Sequence, residues 1–267
     1  MIELNSVVTQ VIQVSPIMRI IRIKPVGWEL PSFESGQFVA LGLPASAPRC
    51  AEATQEHTDQ EDPDKIIKRA YSIASSSTMD YIEFYITLVH SGSLTPRIFA
   101  LNIGDKIWMG KKAVGMFTLS QIDNEQNVIL IATGTGVAPY MSMLRSNALA
   151  RTGKILVIHG AANSWDLGYS SELTLLQTMF QNFEYYPTIT EPDKEPAGWT
   201  GDTRFIEAIW EDGIAEKKWG FKPAPENTHI FLCGNPRMVQ GMKELLEKDG
   251  FTEHKRKSPG QIHIEEF

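Results

Sequence analysis

The segment Lys68–Ser75 brings a cation, an aromatic ring and a hydroxyl together at Arg69, Tyr71 and Ser72. Alternate side chains of an extended strand point to the same face, so Arg69 and Tyr71 project together and Ser72 projects the other way. A guanidinium holds phosphate with paired N–H donors, and a phenol ring can lie flat on a planar ring system. The pattern favours a ligand with phosphate at one end and a flat heterocycle at the other, as in a flavin dinucleotide. The alternative is an ordinary strand with a surface Arg69 and a half-buried Tyr71.

A glycine-rich segment, Thr133–Gly136, follows an apolar strand and opens a helical stretch. Glycine lets the backbone approach a ligand closely, and the amides at the start of a helix attract phosphate. Its TGTG sequence differs from the GxGxxG dinucleotide fingerprint, so a purely structural turn is the alternative to a nucleotide site. A second turn of small residues, Gly92–Thr95, precedes a short helix that contains Pro96 and is another candidate for binding an anion.

Two further segments place a thiol and an aromatic ring at strand ends. Cys233 opens the sequence Cys-Gly-Asn-Pro where a strand passes into a helix, and ligands in open α/β sheets bind at the carboxyl ends of strands. The alternative for Cys233 is a buried small apolar residue, as most free cysteines are. The last residues, Ile262–Phe267, alternate in polarity and predict a final strand that ends on an aromatic ring.

Length and composition exclude several classes of protein. The 267 residues suffice for two ordinary domains, and the formal net charge of −7 argues against nucleic acid as a partner. Cys50 and Cys233 lie far apart and form no CxxC pair, so neither a disulfide framework nor a metal or iron–sulfur site is expected. The N-terminus lacks the features of a signal peptide, and no run is long enough to span a bilayer. We therefore expect a soluble, cytoplasmic protein.

The N-terminal half consists of short, partly alternating apolar segments separated by Pro and Gly, which predict a closed antiparallel barrel with one small helix. The acidic stretch from Pro44 to about Lys65 contains few apolar residues and predicts a long loop of unassigned role. The strands are predicted at residues 7–14, 18–23, 36–43, 68–75, 81–89 and 102–110.

After about Gln121, apolar strands alternate with helical stretches, which predicts a parallel sheet with helices on both faces. The predicted strands are Val128–Ala132, Ile155–His159, Phe183–Thr190 and His229–Cys233. The predicted helices are Ala138–Ala150, Ser170–Phe180, Thr203–Trp210 and Pro236–Lys248. The change of pattern predicts two domains, at residues 1–122 and 123–267.

Together and in this order, these motifs resemble the ferredoxin–NADP⁺ reductase family along nearly the whole chain. The matching segments are Arg69–Ser72, Gly92–Thr95, Thr133–Pro139, Cys233–Pro236 and Glu265–Phe267. The resemblance implies a β plus α/β protein of two domains. The first is a six-stranded antiparallel barrel that binds FAD, and the second is a parallel-sheet α/β domain that binds NADP(H).

The family's flavin contacts transfer to matching residues of the first domain. By resemblance, Arg69 pairs with the FAD pyrophosphate, Tyr71 stacks on the isoalloxazine and Ser72 lies near the flavin N5. Ala70 belongs to the same motif. The residues implied to line the flavin or its ribityl and ribose chain are Ile86, Thr87 and Leu88. The residues implied to supply amides and hydroxyls to the pyrophosphate are Gly92, Ser93, Leu94 and Thr95.

The resemblance also assigns nucleotide contacts in the second domain. The residues implied to hold the NADP pyrophosphate and the nicotinamide side are Thr133, Gly134, Thr135 and Gly136. Cys233 is placed against the nicotinamide ring, and Glu265 matches the family's carboxylate two residues before the terminal aromatic. Phe267 matches that aromatic, which covers the second flavin face, although plant-type members have Tyr there. The implied catalytic residues are Ser72, Cys233, Glu265 and Phe267.

The implied activity is that of a flavoenzyme that transfers electrons between NADPH and ferredoxin or flavodoxin through FAD, with hydride transfer at the flavin N5. Two alternatives stay open. One is an NADH-dependent reductase component of an oxygenase system, and the other is a flavin-binding electron-transfer subunit without nucleotide activity. The direction of electron flow and the choice between a monomer and a homodimer also stay open.

Cations bear on nucleotide choice and on partner docking. For the NADP 2′-phosphate, Arg204 is the best candidate, with Lys194 behind it. Glu191 would repel a phosphate at the end of its strand, so NADH stays open. Acidic ferredoxins or flavodoxins are expected to dock on a basic patch. The residues predicted for this patch are Lys65, Lys68, Arg97, Lys111, Lys112 and the run Lys255–Lys257.

Overall fold

The protein is represented by a computed structural model that describes residues 3–30, 32–55, 62 and 64–266. It forms two compact units. The first contains the chain up to Thr118 together with Met141–Ser146, and the second contains Leu119–Tyr140 and the chain from Asn147 onward. The predicted domain limits, 1–122 and 123–267, stay a prediction. Residues 56–61 and 63 of the predicted acidic loop lie outside the described residues.

Six strands of the first unit form one antiparallel sheet, as the short alternating segments predict. The strands are β1 (Ser6–Ser15), β2 (Met18–Pro25), β3 (Phe38–Pro44), β4 (Ile66–Ser72), β5 (Ile82–Thr87) and β6 (Lys106–Met109), and helix α1 (Thr95–Phe99) follows β5. Their order across the sheet is β4-β3-β6-β1-β2-β5. The two ends of this order meet just beyond β4, where the Ala74 amide donates to the Glu83 carbonyl at 2.8 Å and the Glu83 amide donates to Ser75 Oγ at 3.1 Å.

The second unit is a parallel sheet with helices between its strands, as the alternation of apolar strands and helical stretches predicts. Its strands are β7 (Asn127–Thr133), β8 (Ile155–Ala161), β9 (Phe183–Ile189), β10 (Thr228–Gly234) and β11 (Ile262–Glu266). The helices are α2 (Ala138–Ser146), α3 (Ser170–Met179), α4 (Ile206–Glu211), α5 (Ile214–Trp219) and α6 (Pro236–Lys248). This architecture confirms the predicted β plus α/β fold.

The strand order of the parallel sheet creates a topological switch point. The order is β11-β10-β7-β8-β9, so the chain moves to one side of β7 through β8 and β9 and then returns to the other side with β10. In such sheets the crevice outside the carboxyl ends of the central strands is the usual ligand position. Thr133 ends β7 and Gly234 ends β10, and both strands are hydrogen-bonded neighbours along their length. The glycine turn and the Cys-Gly-Asn-Pro segment therefore share one edge of the sheet.

Helix boundaries depart from the sequence prediction where side chains compete for the backbone. Helix α4 begins at Ile206 instead of the predicted Thr203, because Asp202 Oδ1 accepts the Arg204 amide at 2.9 Å and holds a turn there. Helix α5 was not predicted, and it is separated from α4 by Gly213 with φ +71°. The predicted helix Ala138–Ala150 ends at Ser146 and is followed by a separate 3₁₀ turn.

A buried carboxylate holds several segments of the first unit together. Glu83 on β5 is 1% exposed and accepts Arg22 Nε at 2.7 Å and Arg145 Nη1 at 2.6 Å. Arg145 also donates to the Ala74 carbonyl at 3.0 Å, and Ser142 Oγ donates to the Ser75 carbonyl at 2.8 Å. The second half of α2 is thereby fixed to the loop that follows β4. A buried charge with two cationic partners loses most when one member is removed.

We expect Glu83→Gln to lower the free energy of unfolding by about 2–3 kcal/mol, because both arginines lose their anionic partner while staying partly buried. Urea denaturation of the full-length protein followed by circular dichroism measures this change. Asp80→Asn is the matched control, since Asp80 pairs with Lys24 at 2.5 Å on an exposed surface and such pairs contribute little. Equal stability of the two variants would contradict the assigned role of Glu83.

Two imidazoles are kept uncharged inside the parallel sheet. Burial lowers the pKa of His159 to about 4. Burial, together with the nearby His229 and His254, lowers the pKa of His263 to about 3. An unfolded histidine has a pKa of about 6.5, so between that pH and the folded value only the unfolded chain takes up the proton. Stability therefore falls as the pH falls through this window.

We predict that the thermal unfolding midpoint decreases as the pH is lowered from 7 to 5, and that His263→Phe makes this decrease shallower. Phenylalanine keeps a ring that can stack on Phe231, as His263 does at a centroid distance of 4.3 Å, but it binds no proton. Differential scanning calorimetry at several pH values gives the slope for both proteins. Identical acid slopes would show that His263 contributes nothing to it.

Within the described residues, no helix is long and apolar enough to cross a membrane. The same part of the chain contains no group of three or more His, Cys, Asp or Glu side chains arranged to hold a metal ion.

Candidate functional site

Strand β4 presents Arg69 to solvent. Arg69 pairs across the sheet with Leu41 of β3, and its side chain is exposed. Its Nη1 donates to the neighbouring Lys68 carbonyl at 2.7 Å. Among the described residues, no carboxylate forms an ion pair with this guanidinium. Arg69 therefore keeps N–H donors for an incoming phosphate.

Tyr71 and Ser72 continue the same strand at increasing depth. Tyr71 is half-buried, with its ring edge-on to Phe84 at a centroid distance of 6.4 Å. Burial raises the pKa of the Tyr71 phenol, and the charge of Arg69 opposes this shift only in part, so the ring is uncharged at neutral pH. Ser72 is buried opposite Phe38. The strand thus carries a guanidinium, a ring and a hydroxyl in the order read from the sequence.

The end of β5 lies on the same sheet, and the three residues predicted there differ in exposure. Ile86 and Leu88 are buried in the core of the first unit, and only Thr87 is half-exposed. Side-chain contact with a ligand at this strand end is therefore open to Thr87, whereas Ile86 and Leu88 support the surface from beneath.

The Gly92–Thr95 loop is closed on itself by short hydrogen bonds. The Val89 amide donates to Thr95 Oγ1 at 3.0 Å, and the Gly92 amide donates to the Val89 carbonyl at 2.8 Å. A Cβ on Gly92 would lie 3.0 Å from the Val89 carbonyl oxygen, so a larger residue would fit only if the loop shifted slightly. Ser93 is half-exposed and Leu94 is buried, and α1 begins directly after them.

Two arginines hold carbonyl groups of this loop. Arg97 is 2% exposed and donates through Nη1 to the Ser93 carbonyl at 2.5 Å and through Nε to the Ala45 carbonyl at 3.2 Å. Arg49 Nη1 donates to the Gly92 carbonyl at 3.0 Å. The prediction that Arg97 belongs to a surface basic patch is therefore wrong, because its guanidinium is buried and donates to main-chain carbonyl groups. The sequence contains no local signal for the role of Arg49.

In the second unit, the glycine turn leaves β7 at the carboxyl edge of the sheet. Residues Gly134–Val137 form a 3₁₀ turn that runs into α2, and Gly134 has φ +53°, in the left-handed region that favours glycine. Thr133 Oγ1 accepts the Asn235 amide at 2.7 Å, which ties the turn to the start of α6. Asn235 also caps that helix by accepting the Arg237 amide at 2.9 Å.

Two glycines let the ends of β7 and β10 touch. A Cβ on Gly136 would lie 2.3 Å from the Cys233 carbonyl oxygen. Gly234 has φ +131°, and a Cβ there would lie 2.3 Å from Thr133 Oγ1. No side chain tolerates these distances, so both positions require glycine. The turn is therefore packed backbone against backbone at the switch point.

Cys233 and Glu265 occupy adjacent strands in register. Cys233 pairs with Ala132 on one side and with Glu265 on the other. Cys233 is completely buried, and this burial, followed by the nearby Glu265, raises the pKa of the thiol well above its ordinary value. The thiol is therefore neutral at physiological pH and is a poor nucleophile. Glu265 is half-buried, and Phe267 lies outside the described residues.

Arg204 lies beyond the carboxyl end of β9 and is already engaged by two carboxylates. Its Nη2 donates to Asp202 Oδ2 at 2.5 Å and its Nη1 to Asp212 Oδ2 at 3.1 Å. Asp202 also accepts the Tyr186 hydroxyl at 2.8 Å. The hydrogen bonds from Arg204 hold the Asp202 carboxyl pKa well below its ordinary value. A phosphate that approaches Arg204 must therefore compete with two carboxylates.

The other cations named for nucleotide or partner binding have mixed surroundings. Lys194 pairs with Glu191 at 2.7 Å. Lys68 Nζ lies 3.9 Å from the Trp108 ring centroid and Lys111 Nζ lies 5.6 Å from that of Trp28, both in the first unit. Lys65 and Lys112, also predicted for this patch, are exposed in the same unit. Lys255 of the second unit pairs with Glu253 at 3.3 Å.

Comparison with known proteins identifies relatives of both the sequence and the fold. The family model described as the oxidoreductase NAD-binding domain matches residues 130–244. One solved structure with a similar fold is the crystal structure of a ferredoxin NADP⁺ reductase from Neisseria gonorrhoeae with bound FAD and NADP. It has a TM-score of 0.81 and 24% identity, and the match covers 98% of this chain and 97% of that one. This likeness confirms the predicted two-domain fold.

Relatives in sequence extend over most of the chain. A flavodoxin/ferredoxin–NADP reductase of Buchnera aphidicola subsp. Baizongia pistaciae is 32% identical over 237 residues, which is 88% of each chain. The flavodoxin/ferredoxin–NADP reductase of Escherichia coli K12 is 30% identical over 78% of this chain and 76% of its own. The resemblance drawn from the sequence motifs is confirmed: the chain belongs to the flavodoxin/ferredoxin–NADP reductase family of oxidoreductases.

Proposed function

We propose that this chain transfers electrons between NADPH and a ferredoxin or flavodoxin by way of bound FAD. The observation that supports this proposal is that both groups of candidate binding residues are present and that each lies on a suitable type of structural element. The Arg69–Ser72 strand lies in the antiparallel unit, and the Thr133–Gly136 turn lies at the switch point of the parallel sheet. The related flavodoxin/ferredoxin–NADP reductases support the same reaction.

The first unit fits FAD in its donors and its exposed ring. Arg69 has an exposed guanidinium for the pyrophosphate, and the half-buried Tyr71 offers a ring for the isoalloxazine. The buried Ser72 supplies a hydroxyl at the same strand end. The Gly92–Thr95 loop has its carbonyls held by Arg49 and Arg97. Ala70 and Thr87 complete the proposed flavin contacts, with Ile86 and Leu88 beneath them.

The second unit fits a dinucleotide at its glycine turn. Thr133, Gly134, Thr135 and Gly136 bring main-chain groups to the carboxyl edge of the sheet. The turn has no side chain at Gly134 to obstruct a pyrophosphate, and Gly136 lets the turn pack against the end of β10. Cys233 and Glu265 lie at the same edge on the neighbouring strands. We assign these residues and the C-terminal Phe267 to the nicotinamide side.

FAD, when bound, supplies the chemistry of accepting electron pairs from nicotinamide and releasing single electrons. The protein's residues bind and orient. Arg69 neutralises phosphate charge, and Tyr71 fixes a ring plane. Cys233 places a small, neutral thiol just beneath the carboxyl edge of the parallel sheet, and Glu265 places a carboxyl group beside it. Ser72 places its hydroxyl at the same strand end as Tyr71.

A small acidic electron carrier suits the lysines of the first unit. Lys68 and Lys111 lie over the rings of Trp108 and Trp28, which limits their motion and presents charge and aromatic surface together.

We place the reaction in the cytoplasm, where thiols stay reduced. Both Cys50 and Cys233 are free cysteines.

One observation favours an NADH-dependent reductase as the second candidate. Arg204 is paired with Asp202 and Asp212, and Glu191 follows β9. The ribose 2′-hydroxyl of NADH needs only a hydrogen-bond acceptor, whereas the 2′-phosphate of NADPH needs an available cationic side chain. The same electron transfer with NADH in place of NADPH therefore remains the alternative substrate pairing.

The purified protein loaded with FAD is expected to lose its visible flavin absorbance within seconds when NADPH is added without oxygen. Stopped-flow absorbance measures the rate. Cys233→Ala is expected to slow this step while FAD content stays at one per chain, since the thiol is assigned to the nicotinamide side. For the unaltered protein, failure to take up FAD would overturn the proposed function. Full retention of flavin absorbance with both NADPH and NADH would also overturn it and would leave a flavin-binding protein without nucleotide activity.

Asp212→Asn tests whether Arg204 serves the 2′-phosphate. Removing one carboxylate partner makes the guanidinium more available, so we expect the KM for NADPH to fall about threefold with the KM for NADH unchanged. Arg204→Ala is expected to raise the KM for NADPH. Asp249→Asn is the matched control, because Asp249 accepts the Trp210 indole N–H at 3.0 Å and does not contact Arg204. Equal effects of Asp212→Asn on both nucleotides would remove Arg204 from the site.

A further inference from the structure

A buried histidine lies directly beneath the glycine turn. His159 is on β8, in register with Ala132 of β7, and its side chain is completely buried. Its Nε2 lies 3.0 Å from the Gly134 carbonyl oxygen. Its Nδ1 lies 3.5 Å from the hydroxyl of Tyr185, which is itself buried on β9. A line of polar groups thus runs inside the sheet from β9 to the turn.

The chemistry of the two partners defines the protonation of this imidazole. A carbonyl oxygen only accepts, so Nε2 must carry the hydrogen and donate to Gly134. Burial lowers the pKa of His159 to about 4, so the ring is neutral at physiological pH and Nδ1 has a lone pair. The Tyr185 hydroxyl is then the donor in the long contact to Nδ1. Tyr185 therefore favours the tautomer that His159 needs.

The hydrogen bond from His159 determines which way one peptide group of the turn faces. In a trans peptide the carbonyl oxygen and the amide hydrogen point to opposite sides, and the described chain contains no cis peptide bond. Because the Gly134 carbonyl is directed at His159, the amide of Thr135 is directed away from it. The amide direction at the start of the turn is thus the one that accompanies a hydrogen bond to a side chain 25 residues away.

The hydrogen bond from His159 matters because the residue that it constrains is a glycine. Glycine has no Cβ and populates positive and negative φ almost equally, so Gly134, which has φ +53°, does little by itself to fix the orientation of the peptide group that follows it. A ligand anion needs amide hydrogens, and a reversed peptide would present it with a carbonyl oxygen instead. Preorganising the peptide before the ligand arrives removes that cost from binding.

We propose that His159 is a positioning residue for nucleotide binding: it holds the Gly134 carbonyl inward, and thereby sets the amide direction of the turn toward the nucleotide phosphates. Tyr185 acts through His159 by favouring its Nε2–H tautomer. The proposal rests on the proposed function only in naming a nicotinamide dinucleotide as the ligand of this turn.

His159→Phe, His159→Gln and Tyr185→Phe test the proposal in the FAD-loaded protein. Phenylalanine fills the space without a donor, so we expect the Kd for NADP⁺ measured by calorimetry to rise about tenfold, the effect of losing one buried hydrogen bond. Glutamine carries an amide donor at a similar reach and is expected to recover most of the affinity. Tyr185→Phe is expected to have a smaller effect in the same direction. FAD content is expected to stay unchanged in all three.

His229→Phe is the matched control. His229 lies near the amino end of β10, away from the turn, and its Nδ1 is 3.1 Å from His263 Nε2. The same exchange of imidazole for a phenyl ring is therefore made in the same sheet without touching Gly134. We expect it to change thermal stability and to leave the Kd for NADP⁺ unaltered.

A spectroscopic readout does not depend on nucleotide. Nitrogen-15 NMR of the histidine rings at neutral pH is expected to show His159 as the Nε2–H tautomer. In His159→Phe the amide signals of Gly134, Thr135 and Gly136 are expected to broaden or double as the peptide samples both orientations. An Nδ1–H tautomer for His159, or unchanged amide signals in His159→Phe, would overturn the proposal.

The outcomes separate the two levels of inference. If the unaltered protein binds neither NADP⁺ nor NAD⁺, the proposed function fails at its nucleotide step, and the NMR result still decides whether His159 orders the turn. If the unaltered protein binds NADP⁺ and His159→Phe binds it equally well, the proposed function stands and the role of His159 is refuted. If His159→Phe does not fold, His159→Gln and Tyr185→Phe carry the same comparison.

Discussion

The parallel sheet depends on direct contact between backbone atoms at its switch point. Gly136 and Gly234 each occupy a place where a Cβ would come within 2.3 Å of a neighbouring oxygen, and Thr133 accepts the Asn235 amide across the same junction. These contacts fix Gly136 against Cys233 and Gly234 against Thr133, so the turn after β7 and the end of β10 are joined at two points along one edge. Cys233 belongs to that edge. Its position is therefore fixed by the packing of the main chain, although its thiol is uncharged.

Both candidate sites orient their loops by the same physical means. In the first unit, Arg49 and Arg97 donate to the carbonyls of Gly92 and Ser93. In the second, His159 donates to a carbonyl of the glycine turn. A carbonyl that is satisfied from inside leaves the adjoining amide directed elsewhere, because the peptide group is planar and trans. Anion sites built from main-chain amides therefore need donors beneath them as much as they need glycine.

The sequence predicts the fold better than it predicts these supporting contacts. Hydrophobic periodicity locates the strands of the parallel sheet to within two residues, and Pro236–Lys248 matches its predicted helix at both ends. The motif Arg69–Ser72 is readable because its chemistry lies within one strand. The bond between Arg49 and Gly92 joins residues 43 positions apart, and only the fold brings them together. Arg97 is the opposite case. Its residue type predicts a charged group on the surface, but the fold buries its side chain.

Arg204 illustrates why residue type alone does not settle nucleotide choice. A cation is present beyond β9, but it is shared between Asp202 and Asp212, and Lys217 in turn pairs with Asp212 at 2.8 Å. Specificity is a difference between two affinities. A 2′-phosphate gains from Arg204 only after displacing a carboxylate, while a 2′-hydroxyl has carboxylate acceptors already in place. Under the proposed role of Arg204, the preference between NADPH and NADH depends on how tightly the aspartates hold the guanidinium, and the presence of the arginine is only the first condition.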